Sequence, residues 1–357
     1  MRYAWPRLAV LGLALLVALA ACGSPAPEPS ATPDPASRSG LSYRGADHVS
    51  WWHDEYGWTE ATVSRAQLAS TGANWAGVLA TWYMPSRTDS VIAPLDLKTP
   101  TDETVIQAIR ELRAAGVDVM LKPHVDVLDG TWRGAIRPAD AEAWFASYTA
   151  FIVHYARLAQ QSGVEMLCIG TELATMTDAR HAARWAAVIA AVRAAYGGPL
   201  TYAANAVGAA DEYASVSFWR LLDLAGLDAH TPLTGSTSPT VDDLVRGWSA
   251  NRNGENMVAA FRNWGDSLGK PVIFTELGYR SADGTNRAPY DAEAVAPYDP
   301  GEQADCYEAA FRVWSRETWM RGILWWDWPV PVPAAGDTGY SPRGKPAEDV
   351  LRSWQGR

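Results

Sequence analysis

Two glutamates close two apolar runs that have the make-up of buried strands. Glu172 ends Val164-Glu165-Met166-Leu167-Cys168-Ile169-Gly170-Thr171-Glu172, and Glu276 ends Pro271-Val272-Ile273-Phe274-Thr275-Glu276. Length, β-branched content and the bounding Gly and Pro fit strands covered on both faces. A carboxylate at the exit of such a strand is costly to bury without partners or a task. Two of them on one rim could serve as acid and nucleophile in cleaving a glycosidic bond. One such glutamate alone reads more readily as a helix cap or half of a salt bridge than as a catalytic group. The matched pair, in a chain with 18 tryptophans, favours chemistry.

The elements that must hold these residues alternate along the chain. Strands are expected over 46–52, 74–83, 118–125, 164–172, 200–207, 227–230, 272–276 and 322–328. Helical segments follow them at 59–70, 101–115, 140–161, 178–196, 218–224, 242–268, 301–318 and 346–354. In the second of these, Val105, Ile106, Ile109 and Leu112 recur at helical spacing. Gly72, Gly116 and Gly269 stand just before strands, where helix C-termini favour glycine.

Eight such units predict an α/β fold with a parallel sheet, closed as a single (β/α)8 TIM barrel over residues 41–357. An open doubly wound sheet is the alternative. No Gly-x-Gly-x-x-Gly follows the first strand, so nothing supports a dinucleotide site. In the barrel frame Glu172 ends the fourth strand and Glu276 the seventh, both on the C-terminal rim where such barrels do chemistry.

Residues 1–21 read as a secretory signal: Arg2 and Arg7 lead into a short apolar stretch that ends in small residues. Cys22, directly after Leu19-Ala20-Ala21, resembles a bacterial lipobox cysteine, the site of lipidation; an ordinary cleaved signal is the alternative. Residues 22–40, rich in Pro, Ala and Ser, read as a flexible linker. The expectation is a bacterial, extracytoplasmic protein attached to the cell membrane through a lipid alone. A net charge of −10 argues against nucleic acid or an anionic membrane surface as partner. No cofactor is indicated, and no Cys or His cluster has metal-ligand spacing. A buried thiol is the simpler reading of Cys168, with Cys306 in a helix further on. Nothing points to association beyond a monomer.

Four motifs then follow in barrel order: Leu121-Lys122-Pro123-His124-Val125-Asp126, Ile169-Gly170-Thr171-Glu172-Leu173, Phe274-Thr275-Glu276-Leu277-Gly278-Tyr279 and Leu324-Trp325-Trp326-Asp327. Together they resemble glycoside hydrolase family 113, from about Tyr43 to the C-terminal helix. The resemblance implies a retaining glycosidase for a β-linked polysaccharide or oligosaccharide, chiefly β-1,4-mannan. It makes Glu172 the acid/base and Glu276 the nucleophile. Retention asks for carboxyl groups about 5–5.5 Å apart, one carrying a proton and one ionised. The wider clan has Asn before the acid/base, where it meets the sugar 2-hydroxyl. Here Thr171 stands there, so either Thr171 or Asn205 is left for that contact. His230 occupies a position where a tyrosine often orients the nucleophile, a satisfied rim histidine being the equal alternative, and Tyr279 is a second candidate for the same bond.

Further binding residues are read from strand ends. Lys122, His124 and Asp126 alternate, so they project together, towards sugar hydroxyls or as a structural ion pair in the barrel mouth. Trp52, Trp82 and Trp326 are the candidate platforms for pyranose faces, with Trp326, rather than Trp325, as the floor. The connections 281–300 and 336–346 are long for a barrel and could wall a cleft. The competing readings are a catalytically silent carbohydrate-binding lipoprotein and a retaining glycosidase for another β-linked sugar.

Overall fold

A computed structural model describes residues 40–356; the expected signal, Cys22 and the linker up to residue 39 lie outside them. Eight parallel strands close a barrel in chain order. They are β1 (Tyr43–Val49), β2 (Trp75–Met84), β3 (Asp118–Val127), β4 (Met166–Thr171), β5 (Leu200–Asn205), β6 (Ala225–Asp228), β7 (Val272–Leu277) and β8 (Met320–Pro329). The helices outside them are α1 (Thr59–Ser70), α2 (Asp102–Ala114), α3 (Ala141–Ser162), α4 (Ala182–Ala195), α5 (Glu212–Ser215), α6 (Val241–Ser249), α7 (Met257–Leu268), α8 (Pro300–Trp314) and α9 (Pro346–Gln355).

Helix starts follow side-chain caps: Thr101, Asp140, Asn256 and Asp299 each accept from a backbone N–H in the first turn that follows. The expected helix 242–268 is two helices. Gly254, at φ +79°, turns the chain, Asn251 ties the turn to Glu255, and Asn256 caps the restart. The expected helix 218–224 is a single 3-10 turn, Trp219–Leu221, preceded by the four-residue α5. β1 and β6 begin three and two residues earlier than expected, so Trp51, Trp52 and His230 stand in loops beyond their strands.

The main core lies between the sheet and the helices. Val105, Ile109 and Leu112 are buried there, while Ile106 faces outward. Trp144, Trp185, Trp248 and Trp314 are fully buried in the same layer, each removing about 150–250 Å² from water. Inside the barrel a smaller cluster, built on Met120, Met166, Cys168, Ala203, Ile273 and Leu324, forms the floor beneath the rim. Cys168 and Cys306 are both buried free thiols. Among the described residues no helix is long and apolar enough to cross a membrane.

Candidate active site

β4 ends at Thr171, and Glu172 follows at φ +50°, a left-handed conformation that costs a side-chain-bearing residue energy. Neighbouring groups hold it there. The Glu172 N–H donates to Ala203 O at 2.8 Å, and the next N–H, of Leu173, donates to Tyr202 Oη at 2.7 Å. Tyr202 donates in turn to Glu212 Oε1 at 2.7 Å, while Glu212 Oε2 accepts the Asn205 N–H at 2.8 Å. Buried Glu212, pushed up to about 8 by its burial, thus fastens the exits of β4 and β5 together. The Glu172 side chain is left in the barrel mouth. Asn205 Nδ2 donates to its Oε1 at 2.9 Å, Trp132 Nε1 donates to its Oε2 at 3.2 Å, and the Arg133 guanidinium stands 3.5 Å away.

Glu276 reaches the same mouth from the other side. The β6–β7 register shifts between Leu227 and Asp228, and the β7–β8 register shifts between Phe274 and Leu277. Such irregularities re-aim side chains. Here two consecutive residues both turn inward: Thr275 Oγ1 donates to Asp228 Oδ1 at 2.8 Å, and Glu276 Oε1 accepts from Lys122 Nζ at 2.6 Å. Lys122 also donates to Asp47 Oδ2 at 3.2 Å and to the Thr275 carbonyl at 3.1 Å, with Asp228 Oδ1 at 3.5 Å. The second Glu276 oxygen lies 3.2 Å from His230 Nε2.

Burial alone would push the Glu276 carboxyl up. Lys122 and His230 overcome that and hold it well below the usual carboxylate range. Burial likewise opposes the Lys122 charge, but Asp228, Asp47 and Glu276 keep the ammonium protonated above its ordinary value. His124 is pushed well below its usual range by burial and by the cations Arg133 and Lys122, so its imidazole is neutral.

A cavity of about 500 Å³ brings the two glutamates to one wall system, with Asn205, His230 and Trp326 beside them. Trp132 and Arg133 close one side. Tyr290 and Tyr340 close another, one from each of the two long connections noted in the sequence, 281–300 and 336–346. Tyr340 Oη is tied to Pro289 O at 2.6 Å. A second cavity of about 520 Å³, with Trp51, Tyr83, Lys98 and Asp126 on its walls, shares Trp132 and Arg133 with the first. Among the described residues Asp283, Asp299 and Glu302 also bring carboxylate oxygens within 4.8 Å of one another. Glu302 is taken up by the N–H groups of Gly284 and Asn286, so this group pins the β7–α8 connection.

The structure therefore sorts the residues expected at the site. Glu172, Asn205, His230, Glu276 and Trp326 share the cavity. Trp326 stacks parallel to His124 at 6.2 Å, whereas Trp325 turns outward onto Tyr307 and Phe311 of α8. Lys122, His124 and Thr171 are buried and do not line the cavity, and Lys122 forms the ion cluster described above. Asp126 is held by Arg133 Nε at 3.0 Å and lines the second cavity. Trp52 is half-exposed in the loop after β1 and lines neither cavity, although its neighbour Trp51 lines the second. Tyr279 is fully buried and its hydroxyl has no partner among the described residues; His230 makes the contact with Glu276 instead. Trp82 packs outward on Phe151, His154 and Tyr155 of α3, because its pairing with Val125 gives it the helix-facing phase of β2. Asp47, Asp228 and Arg133 enter as unforeseen partners. A cation beside Trp132 in the loop after β3 was the one available signal for Arg133; the two aspartates carried none.

The family model described as Glycoside Hydrolase Family 113 matches residues 49–345. A solved β-mannanase of that family from Alicyclobacillus acidocaldarius, in complex with ManMIm, is 31% identical, with a TM-score of 0.77 over 90% of this chain and 98% of that one. A second solved β-1,4-mannanase of the family is 24% identical, with a TM-score of 0.78 over 89% and 100% of the two chains. A β-glucuronidase from Ruminococcus gnavus, solved with D-glucuronic acid, shares the fold at 14% identity. Its TM-score is 0.57 over 88% of this chain and 49% of that one. No functionally curated protein matches the chain.

Proposed function

Because the chain belongs to glycoside hydrolase family 113, matched over residues 49–345, we propose that it hydrolyses β-1,4-linked mannan with retention of configuration. One observation carries this reading: Glu172 and Glu276 face one cavity from β4 and β7 in opposite settings. Glu276 is locked as an anion by Lys122 and His230. Glu172 sits among polar donors at the opening of the mouth. The likeness to solved β-mannanases supports the sugar class.

In this reading Glu276 attacks the anomeric carbon while Glu172 gives its proton to the departing oxygen. The glycosidic C–O bond breaks as the ester to Glu276 forms. Glu172, now a carboxylate, then takes a proton from the water that opens the ester. Asn205 and the Trp132 N–H stabilise that carboxylate by donating to its two oxygens. With Thr171 Oγ1 buried away from the cavity, Asn205 is the residue for the sugar 2-hydroxyl. Trp326 offers its apolar face to the pyranose ring. Lipidation of Cys22, a cell-membrane location outside the cytoplasm and action as a monomer belong to the same proposal and rest on the sequence. Release of a Cys22→Ser variant from membranes is the expected outcome; continued attachment would remove the anchor.

The reading is tested by hydrolysis of manno-, gluco- and xylo-oligosaccharides by the full chain, with product anomers followed by NMR. Retained configuration on manno-oligosaccharides is expected. Cleavage of another sugar would keep the mechanism and discard the substrate. Binding without turnover on every sugar would make the protein a silent carbohydrate-binding barrel.

A further inference from the structure

Catalysis as described uses one carboxylate on Lys122, yet three surround it. Nζ lies 2.6 Å from Glu276, 3.2 Å from Asp47 and 3.5 Å from Asp228. The Lys122, Asp47 and Asp228 side chains are wholly buried. Two carboxylate oxygens of this cluster, Asp47 Oδ1 and Asp228 Oδ2, have no hydrogen-bond partner among the described residues. Three ionised carboxylates around one ammonium would leave two uncompensated negative charges out of water, so the aspartates must carry protons at rest.

The difficulty reverses during turnover. When Glu276 becomes an ester its charge disappears, and Lys122 is left as a buried cation without its closest anion. We infer that Asp47 and Asp228 form a charge reserve for the covalent intermediate, releasing one proton as Glu276 is esterified so that an aspartate carboxylate takes over Lys122. The inference rests on the retaining reading above. Its balance is simple. One aspartate O–H bond breaks, the electron pair stays on the aspartate and the proton passes to solvent. When water opens the ester, Glu276 is again an anion and the aspartate regains a proton. The cluster's net charge is constant through both steps.

The surroundings suit this exchange. Burial pushes Asp47 up to about 7, and burial together with Glu276 pushes Asp228 well above the carboxylate range. The charged and titratable groups that face the pair are Tyr56 after β1, Lys122 on β3, Cys168 on β4, Glu172 after it, Glu276 on β7 and Asp327 on β8. Lys122 is the cation of that set, so loss of the Glu276 charge acts directly on both aspartates.

The test uses the full chain carrying Glu172→Gln, because Glu172 exchanges protons on its own account. The probe is 2-deoxy-2-fluoro-β-mannosyl fluoride, whose leaving fluoride needs no acid and whose substitution by a carboxylate releases no proton. Mass spectrometry counts adducts on Glu276 while an indicator dye near pH 7 counts protons. About half a proton or more per adduct is expected. In the further variant Asp47→Asn/Asp228→Asn that release should fall to near zero. If those substitutions prevent folding, infrared difference spectra of the Glu172→Gln protein with 13C-labelled aspartate serve instead. They should show an aspartic acid band lost and a carboxylate band gained on trapping. Adduct formation without proton release, or without an aspartate band change, overturns the inference and leaves the catalytic reading standing. Release that persists without both aspartates overturns it too. Absence of any adduct, with mannosyl and glucosyl probes alike, overturns the retaining reading and the inference with it.

Discussion

Lys122 Nζ and Glu276 Oε1 meet at 2.6 Å across the barrel interior, although 154 residues separate them in the chain. They stand on β3 and β7, four strands apart in either direction around the closed ring. Their contact therefore runs through the barrel axis. Asp47 and Asp228 add β1 and β6 to the same cluster. A buried ammonium here does two things at once: it ties four strands together, and it keeps the carboxylate proposed as nucleophile ionised where burial alone would protonate it.

Lys122→Met separates those two effects from packing, since methionine fills similar space without charge. Removing one member of a buried pair costs about 3–5 kcal/mol. The variant should lose stability on that scale in denaturant titrations, and kcat should fall by more than about a hundredfold. A variant with wild-type stability and kcat within tenfold would deny the lysine both roles.

Glu276→Ala should abolish turnover, by more than about 10³-fold, with ligand affinity and folding largely kept. Near-normal hydrolysis would sink its assignment as nucleophile. Glu172→Ala should slow substrates with poor leaving groups far more than activated aryl glycosides, because protonation matters less for the latter. An equal loss on both kinds of substrate would count against Glu172 as the acid.

Strand–helix alternation made the barrel legible, because each element carries its own apolar period and its own boundary residues. The break between α6 and α7 was marked only by Asn253-Gly254 inside a stretch that otherwise reads as continuous helix. The positions of Glu172 and Glu276 at strand exits were legible for the same reason as the fold. The cluster around Lys122 was not, since no sequence spacing relates residues on β1, β3, β6 and β7; only closure of the ring does. Trp82 shows a further limit. Alternation says which residues share a face of β2, but not which face looks inward, and that phase comes from the register with β3.

Trp82 and Trp326 consequently predict opposite outcomes on truncation. Trp82 packs on α3, so Trp82→Ala should cost about 2–3 kcal/mol of stability and leave KM unchanged. Trp326 lies on the cavity over His124, so Trp326→Ala should raise KM or lower kcat well before it affects melting. The paired measurement is a melting curve beside oligosaccharide kinetics for each variant. A KM change in Trp82→Ala with intact stability would return that residue to the list of sugar contacts.

The cluster also gives stability a pH dependence with two opposing contributions. Glu276 is held below its unfolded value, so its contribution is present above about pH 4.3 and is lost as pH falls towards its folded value. Asp47 is pushed up to about 7, from about 3.9 in the unfolded chain. Its contribution is full below about pH 4 and is lost as pH rises through 7, because the unfolded chain gives up that proton first. Glu212, pushed up to about 8, acts in the same direction as Asp47. Stability should therefore decline from mildly acidic to neutral pH. Asparagine mimics the protonated aspartate and cannot titrate, so Asp47→Asn should make that decline shallower. Melting temperatures of the two proteins at pH 5 and pH 8 decide it: the variant should lose less between them. Equal losses would mean that Asp47 keeps the same charge across the range, and the decline would then belong to the other carboxyls that burial pushes up, Glu212, Asp228 and Asp327.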